Sequence, residues 1–395
     1  MIKILSLTTR IPFYPSHGHF ERTYFLIKNL SSKCSFSILG FLPNFIVKAN
    51  QENISSFVEK VLAFPSPAYK DFLVKSLLDS LLFSKYPFVV RKYLDEKIVS
   101  SLLSFYDSFD LVHFDILHMC VYLHFSRFFV PLIVTEHNIE FLRLKRLARI
   151  SKNPLLKLFL FREAKKLENF ETNVLNLVDV IIVVSDTDKE ILKSKGIDKP
   201  IFVVPNGVCL DRIPFCKPNK EKNLLWFGSL TDPYNKDAVF FFLEKVWPLV
   251  QKKWPEARFI ITGFQNTKIL KKFKSSSIII YDHVEDLTKI VEKARIFVAP
   301  IRAGSGTKLK ILTAMAYGLP VITTDIGIEG ISAIADVHFC QANSCQDFLV
   351  AIEKLFHDYE LCLFLGQNAR NLIENFYSWD LLAQKQYKIY RSLLL

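Results

Sequence analysis

Short runs of apolar, often β-branched residues alternate with amphipathic helical patterns along most of this 395-residue chain. Adjacent parallel strands need a long crossover connection, usually a helix, so this alternation predicts parallel sheets with helices on both faces. The runs are Ile2 to Leu7, Phe36 to Phe41, Leu111 to Phe114, Leu132 to Thr135, Val180 to Val184, Ile201 to Val204, Leu224 to Phe227, Phe259 to Thr262, Ile278 to Tyr281, Ile296 to Ala299 and Val321 to Thr324. The pattern predicts the doubly wound α/β class.

The length of the chain predicts two domains, because single hydrophobic cores stop growing beyond about 250–300 residues. A turn-rich, polar stretch from Pro205-Asn206-Gly207 to Lys220 divides the apolar runs into two groups. Such stretches are typical of domain boundaries, and we place this one between residues 205 and 206.

The overall composition indicates the class of binding partner and the cellular compartment. A formal net charge of +12 favours an anionic partner, such as phosphorylated small molecules, nucleic acid or an acidic lipid surface. The seven cysteines show no C-x-x-C spacing and the nine histidines no ligand spacing, which predicts reduced thiols and no metal site. We find no secretory leader and no apolar run near 18 residues, and therefore expect a cytoplasmic protein.

The segment from Arg302 to Lys310 reads Arg-Ala-Gly-Ser-Gly-Thr-Lys-Leu-Lys and lies between an apolar run and a helical pattern. A strand, a glycine-rich turn and a helix start together favour binding of an anion, typically phosphate, because helix N-termini present unpaired N–H groups and partial positive charge. Cations in a first helical turn oppose the macrodipole, and a bound anion would relieve that conflict. The alternative is that the lysines simply point into solvent.

His137 follows the run Leu132 to Thr135, at the carboxyl end of a predicted strand, where doubly wound sheets bind ligands. An imidazole there could donate to a sugar hydroxyl or a phosphate, although a lone histidine is more often structural. By the same rule we expect the loops at Gly18, His137, Gly228, Gly263 and Gly304 to converge on one cleft.

The segment 142–168 carries nine cations and only two acids, Glu163 and Glu168, interleaved with Leu, Phe and Ile. A basic amphipathic segment of this kind can bind an anionic membrane surface. The alternative is a solvated helix face. Nucleic-acid binding is disfavoured, because no helix-turn-helix, zinc-finger or aromatic RNA-binding motif accompanies the charge.

Six motifs in order span nearly the whole chain. They are Thr9-Arg10-Ile11-Pro12 with Gly18 and Arg22, Thr135-Glu136-His137-Asn138, Val184-Ser185, Pro205-Asn206-Gly207-Val208, Phe227-Gly228-Ser229 with Asn235, and the segment 302–318. Together they resemble the family 4 glycosyltransferases of the GT-B fold, particularly bacterial sugar transferases of envelope and exopolysaccharide assembly.

The resemblance implies two Rossmann-like domains facing a central cleft. The N-terminal, acceptor-side domain would span 1–205 and the nucleotide-sugar-binding domain 206–376. A helix in 377–395 would cross back to the N-terminal domain and pack on it through apolar side chains, namely Leu381, Leu382, Tyr387, Ile389 and Tyr390. It further implies transfer of a hexose from a nucleotide-diphosphate sugar to a lipid-linked or saccharide acceptor, without metal or cofactor. The reaction would be retaining, and the departing phosphate would help to deprotonate the acceptor hydroxyl.

The resemblance also assigns residues. His137 would contact the transferred sugar as the catalytic residue. The donor-binding residues would be Gly18, Gly228, Ser229, Arg302, Gly304, Ser305, Gly306, Thr307, Lys308 and Thr313.

The chain departs from the family pattern at three positions. Ser305 and Thr313 stand where two glutamates are common, and His19 stands where a second glycine is common. Thr313 keeps open a second hypothesis, a catalytically weak GT-B-like subunit that binds another transferase. A nucleotide-sugar epimerase on the same fold is less favoured, since the segment 302–318 resembles the transferase version.

Overall fold

A computed structural model describes residues 1–13, 18–42, 54, 56–65, 84–125, 127–262, 267–282, 284 and 286–394. The chain forms two compact units: unit 1 comprises Met1–Asn206 with Trp379–Leu395, and unit 2 comprises Gly207–Ser378. Gly263, which belongs to the sequence patterns above, lies outside the described residues.

Unit 1 contains a seven-stranded parallel sheet in the order β3-β2-β1-β4-β5-β6-β7. Because the chain reverses its direction of travel across the sheet after β3, helices cover both faces. The strands are β1 (Ile2–Thr8), β2 (Cys34–Leu42), β3 (Lys60–Pro65), β4 (Leu111–Phe114), β5 (Leu132–Glu136), β6 (Val180–Val183) and β7 (Ile201–Val203). The helices are α1 (His19–Leu30), α2 (Phe88–Arg91), α3 (Glu96–Phe105), α4 (Glu140–Ile150), α5 (Pro154–Leu175) and α6 (Asp186–Ser194), with 3₁₀ turns at Tyr106–Ser108 and Leu117–His124.

Unit 2 contains a six-stranded parallel sheet in the order β10-β9-β8-β11-β12-β13. The strands are β8 (Asn223–Phe227), β9 (Arg258–Thr262), β10 (Ile278–Tyr281), β11 (Ile296–Ala299), β12 (Val321–Thr323) and β13 (Cys340–Gln341). The helices are α7 (Pro233–Phe241), α8 (Trp247–Lys253), α9 (Thr288–Val291), α10 (Leu309–Ala316), α11 (Asp325–Ile328), α12 (Cys345–His357) and α13 (Tyr359–Phe376). A π-turn at Phe242–Val246 joins α7 to α8, and 3₁₀ turns lie at Leu210–Arg212 and Thr267–Phe273.

The burial pattern of β8 shows why the strands of unit 2 read as continuous apolar runs. Leu224 and Trp226 belong to one buried cluster, whereas Leu225 and Phe227 belong to another. Successive side chains of a strand point to opposite faces, so both faces of this sheet are covered. The predicted doubly wound α/β class is therefore confirmed.

The last helix, α14 (Trp379–Ser392), packs within unit 1. The ring of Trp379 stacks on Phe25 of α1 with centroids 5.9 Å apart. The Tyr390 hydroxyl lies 2.8 Å from Nδ1 of the buried His113 in β4, and Gln386 Nε2 donates to that hydroxyl at 2.5 Å. These contacts attach the end of the chain to the central strands of the first sheet.

Three details differ from the sequence-based prediction. The strands β3 and β13 were not predicted. Both lie at sheet edges; β13 has two residues and produces no run, whereas β3 contains the short apolar run 61–64, which was missed. Leu381, expected to pack inward from α14, is exposed, because the buried side of this helix runs through Leu382 and Ala383.

Among the described residues, no helix has the length and apolar composition needed to cross a bilayer.

Candidate active site

The turn between β11 and α10 has the geometry that its sequence predicts. The strand ends at Ala299 and the helix begins at Leu309, with Gly304 at φ 133° and Gly306 at φ 65°. Both values lie in the region that favours glycine. Lys308 occupies the N-cap position without a side-chain cap hydrogen bond, and the first turn contains no acidic residue. The helix start therefore keeps the partial positive charge that attracts an anion.

Lys310, in the first turn of α10, is the most unusual cation of this turn. Its Nζ donates to Asn235 Oδ1 at 2.5 Å and lies 4.6 Å from the ring centre of Trp226. Burial lowers the pKa of Lys310 to about 8, and Asp232 opposes that shift only weakly. An ammonium with so little compensation gains stability from a nearby anion.

Gly228 and Asn235 hold this ammonium in place. A Cβ atom on Gly228, which follows β8, would lie 2.6 Å from Lys310 Nζ, so a larger residue would displace the lysine. Asn235 Nδ2 donates to the carbonyl oxygen of Ser229 at 2.8 Å and thereby fixes the Oδ1 atom that accepts from Lys310. The Ser229 hydroxyl lies 2.7 Å from the Thr231 hydroxyl. Gly228 thus provides space for the cation, and Ser229 orients its partner.

The other two cations of the turn are each paired with a carboxylate. Arg302 makes a two-point hydrogen bond to Asp237 of α7, with Nε and Nη2 at 2.9 and 2.6 Å. Lys308 Nζ donates to the carbonyl oxygen of Gly306 at 2.7 Å and lies 3.7 Å from a carboxylate oxygen of Glu329. The expected phosphate-binding charge of Arg302 is therefore largely balanced by Asp237.

The remaining predicted residues of the turn are partly or fully buried. Ser305 and Thr307 are both buried between the glycines and the helix. Thr313, one turn into α10, donates its hydroxyl proton to the carbonyl oxygen of Leu309 at 2.9 Å. This is the back-bonding typical of a threonine inside a helix, and its oxygen keeps only acceptor capacity for a ligand.

In unit 1, His137 directly follows β5 and is almost fully buried. Its Nε2 lies 2.5 Å from the carbonyl oxygen of Asp115. Because a carbonyl only accepts, Nε2 carries the proton and Nδ1 is an unprotonated acceptor. Burial first, and then the neighbouring His19 and Arg22, hold the pKa of His137 well below its ordinary value. The neutral ring therefore offers an acceptor at Nδ1, which suits a sugar hydroxyl, whereas the sequence analysis considered donation by this ring to a sugar hydroxyl or a phosphate.

Gly18 and His19 form the start of α1 beside His137. Gly18 is exposed at φ 63° and occupies the N-cap position. The ring centres of His19 and His137 are 4.9 Å apart, and burial lowers the pKa of His19 to about 3. Two neutral imidazoles therefore lie side by side at the carboxyl edge of the first sheet.

Arg22, one turn further along α1, is fully buried. Its Nη1 donates to the carbonyl oxygen of Pro205 at 2.5 Å and to Asn206 Oδ1 at 3.3 Å. Burial raises the pKa of the nearby Asp115 carboxyl to about 7, against a hydrogen bond from Thr23 and the charge of Arg22. The Pro205-Asn206 motif is thus anchored to α1 by a buried arginine.

The sequence analysis placed Lys310 in the anion-binding turn but did not include it among the donor-binding residues, and it missed the carboxylates of Asp237 and Glu329. A signal for Lys310 existed, since β8 and β11 are neighbours in the sheet and the turns after them meet at one edge. The pairing of Arg302 with Asp237 had no such signal, because it depends on the side of α7 that faces the turn. Among the described ranges, no group of three or more His, Cys, Asp or Glu side chains is placed to hold a metal ion.

Two family models match consecutive parts of the chain. A model described as Glycosyltransferase Family 4 matches residues 66–212, and one described as Glycosyl transferases group 1 matches residues 221–358. Curated relatives include an uncharacterised 44.6 kDa protein in the cps region of Klebsiella pneumoniae, 30% identical over 217 residues. An uncharacterised glycosyltransferase of Haemophilus influenzae is 24% identical over 209 residues. These alignments cover 50% of this chain and 52% and 57% of the two relatives, so the chain spans about half the length of the curated relatives it matches.

Solved structures show the same fold along the whole chain. Sucrose-phosphate synthase from Thermosynechococcus elongatus superimposes with a TM-score of 0.74 at 14% identity, covering 100% of this chain and 99% of that one. HepE of Anabaena, solved with UDP and glucose, superimposes with a TM-score of 0.70 at 13% identity, covering 99% of this chain and 100% of that one. With both units matched by consecutive family models, and the fold shared over the full length, the chain belongs to the family 4 glycosyltransferases of the GT-B fold.

Proposed function

We propose that this protein transfers a hexose from a nucleotide-diphosphate sugar to a lipid-linked or saccharide acceptor, with retention of anomeric configuration and without a metal ion. The diphosphate of the donor binds at the turn 302–308 and the start of α10 in unit 2. Gly18 and His137 of unit 1 act on the transferred sugar.

The state of Lys310 is the observation that carries this proposal. Its ammonium is largely desolvated, has only Asn235 as a hydrogen-bond partner among the described residues, and lies next to a helix start without acid or side-chain cap. A diphosphate would supply the missing negative charge, and a hydrogen bond between charged groups is worth roughly 1.5–3 kcal/mol. In the reaction, the same cation stabilises the negative charge that develops on the departing nucleoside diphosphate.

His137 contributes by orientation rather than by proton transfer in this account. Its Nδ1 accepts a hydroxyl proton of the transferred sugar, while the bond from Nε2 to Asp115 fixes the ring. Because the imidazole is neutral over the usual working range, its protonation state does not change during the reaction. The departing phosphate then takes the acceptor proton, and no protein base is required.

A role in envelope polysaccharide synthesis is supported by the Klebsiella relative, which is described as a protein of the cps region. HepE was solved with UDP-glucose, and TarM of Staphylococcus aureus with UDP. A uridine diphosphate sugar is therefore the first donor to test.

The test is a thermal-shift screen of uridine, guanosine and adenosine diphosphate sugars, followed by a hydrolysis assay with each donor that stabilises the protein. We expect one nucleotide class to raise the melting temperature and to be hydrolysed slowly in the presence of a chelator, releasing the anomer that the donor contains. Hydrolysis that requires added divalent metal, or that inverts the anomer, would refute the corresponding part of the proposal.

Thr313 favours a second candidate function, a catalytically weak subunit that binds another transferase. A threonine that bonds back to Leu309 gives the donor a weaker contact than the glutamate common in the family. If the rest of the site is intact, Thr313→Glu should tighten donor binding by about tenfold to a hundredfold. Absence of donor binding in both the native protein and this variant, measured by the same thermal-shift assay, would favour the partner role.

A further inference from the structure

The α4–α5 hairpin of unit 1 ends in an exposed apolar tip. Residues 152–158 are all exposed, and three leucines of the first turns of α5 are among the most exposed large apolar side chains of the described residues. Their exposed fractions are 78% for Leu155, 47% for Leu156 and 70% for Leu158. Three adjacent exposed leucines form a contiguous apolar surface, and such surfaces mark interaction sites more often than scattered single residues do.

Positive charge surrounds these leucines without local compensation. Residues 141–162 contain seven cations and no acid, more than half of the net charge of +12. Four of these cations, Lys145, Arg149, Lys152 and Lys157, are exposed and form no ion pair with any described carboxylate. The tip thus combines exposed leucines with exposed cations that have no ion pair, the pattern of an interfacial membrane segment.

The tip projects from the edge of the sheet at which His137 lies. The helix α4 begins at this carboxyl edge, directly after the loop that carries His137, and its 11 residues span about 16 Å. The helix α5 has 22 residues, about 33 Å, and returns to the amino end of β6. Its buried residues begin only at Leu160, so its first turns extend beyond the sheet.

We propose that the tip of this hairpin, Leu155, Leu156 and Leu158 with Lys145, Arg149, Lys152 and Lys157, inserts into the headgroup region of an anionic lipid membrane. The leucines enter the acyl boundary while the lysine and arginine side chains contact phosphate headgroups. This inference deepens the proposed function, because it places the sheet edge with His137 next to a surface that can hold a lipid-linked acceptor.

Other occupants fit the tip less well. A second copy of the same surface would bring two uncompensated cationic tips together, which repel each other. A nucleic acid would contact the cations but would leave Leu155 and Leu158, which have no base-stacking rings, in water. An anionic lipid surface matches both the charge and the apolar side chains.

The experiment is co-sedimentation of the full chain with vesicles of phosphatidylcholine alone and with vesicles that also contain phosphatidylglycerol. We expect binding to the anionic vesicles that weakens as salt is raised. Leu155→Ser with Leu158→Ser should lower the partition coefficient about tenfold or more. Lys152→Gln with Lys157→Gln should lower it about fivefold for each lysine.

A matched control replaces an exposed leucine and an exposed lysine of unit 2, Leu249→Ser with Lys252→Gln in α8. This variant should bind vesicles like the native protein. Equal losses in the control and the tip variants, or binding of the serine variant as tight as that of the native protein, would overturn the proposal. So would binding to single-stranded RNA that matches vesicle binding and does not depend on the leucines.

The vesicle assay is made without donor, and its outcome is separate from that of the proposed function. All tip variants should keep the donor-induced thermal shift of the native protein, since the exposed tip contributes nothing to the core. A leucine variant that loses both vesicle binding and the thermal shift has misfolded, and the lysine variant then provides the test. If the lysine variant binds vesicles as tightly as the native protein, the proposal is rejected. Loss of vesicle binding with an unchanged shift supports it.

Discussion

Lys310 is the residue whose environment departs most from what a surface lysine experiences. Its pKa is lowered to about 8 by burial, so it carries a proton near neutral pH but loses it in mildly alkaline solution. In that range the unfolded state binds more protons, and the stability of the unliganded protein should rise with pH. Affinity for an anion should change in the opposite direction, because the neutral amine no longer attracts it.

We therefore predict that affinity for the nucleoside diphosphate falls about tenfold for each pH unit above about 8. Phosphate groups have completed their ionisation at lower pH, so the charge of the diphosphate stays constant in this window. Lys310→Arg, which remains charged, should bind with little dependence on pH when both proteins are titrated calorimetrically. The same alkaline loss in the arginine variant would show that another group titrates.

Glu136 is a second residue whose effect on the stability of the protein depends on pH. Its side chain is buried, and neither carboxyl oxygen has a hydrogen-bond partner among the described residues. Burial, together with the charges of Glu171 and Glu140, raises the pKa of Glu136 well above its ordinary value. A raised folded pKa means that the associated stability is present below the unfolded value of the carboxyl and is lost as pH rises.

Glu136→Gln should therefore increase the free energy of unfolding, and the gain should grow as pH rises above the ordinary pKa of the carboxyl, by up to about 1.4 kcal/mol per pH unit. Urea unfolding at several pH values measures it. Glu168→Gln is the control of opposite sign, because hydrogen bonds from Lys195 and Lys165 lower the pKa of Glu168. That control should lose up to about 1 kcal/mol at neutral pH. A gain at Glu136 that does not change with pH would contradict the buried, protonated carboxyl.

At the scale of elements, the sequence predicted eleven of the strands that the structure describes and the turn between β11 and α10. Nine of these strands are interior and covered on both faces, so they produce continuous apolar runs, and the other two, β7 and β10, are edge strands with the same signal. The edge strand β13 is too short to produce such a run, and the apolar run 61–64 of the edge strand β3 was missed. Within the site, positions fixed by backbone geometry, such as Gly304 and Gly306, could be read from sequence, but side-chain pairs such as Arg302 with Asp237 could not.

The helix α14 gives a prediction for the polar network that holds it. The Tyr390 hydroxyl is buried between His113 and Gln386, and His113 Nε2 lies 2.7 Å from the Thr135 hydroxyl. Tyr390→Phe leaves buried polar groups without a partner and should destabilise the protein by about 1–3 kcal/mol.

The matched control is Tyr387→Phe on the same helix, where the ring is only partly buried and its contact with Lys33 does not involve the hydroxyl. It should change the stability by less than about 0.5 kcal/mol. Chemical denaturation of both variants decides the matter. Equal effects of the two substitutions would show that the Tyr390 hydroxyl contributes nothing specific.

At the scale of the whole molecule, the cations occur at two candidate binding sites, one in each unit. Four cations of residues 141–162, namely Lys145, Arg149, Lys152 and Lys157, form an uncompensated surface on unit 1, whereas those of the turn in unit 2 are few and mostly paired. The net charge of +12 predicted an anionic partner, but the sequence alone did not show which part of the chain binds that partner. The candidate diphosphate-binding turn with Lys310 belongs to unit 2, and the hairpin tip proposed to bind lipid belongs to unit 1.

The central claim is that the start of α10 with Lys310 recognises a diphosphate. Calorimetric titration with a nucleoside, its monophosphate and its diphosphate, on the native protein and on Lys310→Met, tests it most directly. We predict that the diphosphate binds the native protein about tenfold to a hundredfold more tightly than the monophosphate, and that Lys310→Met removes most of this difference. Equal affinity for mono- and diphosphate in the native protein, or an unchanged difference in the variant, would contradict the account.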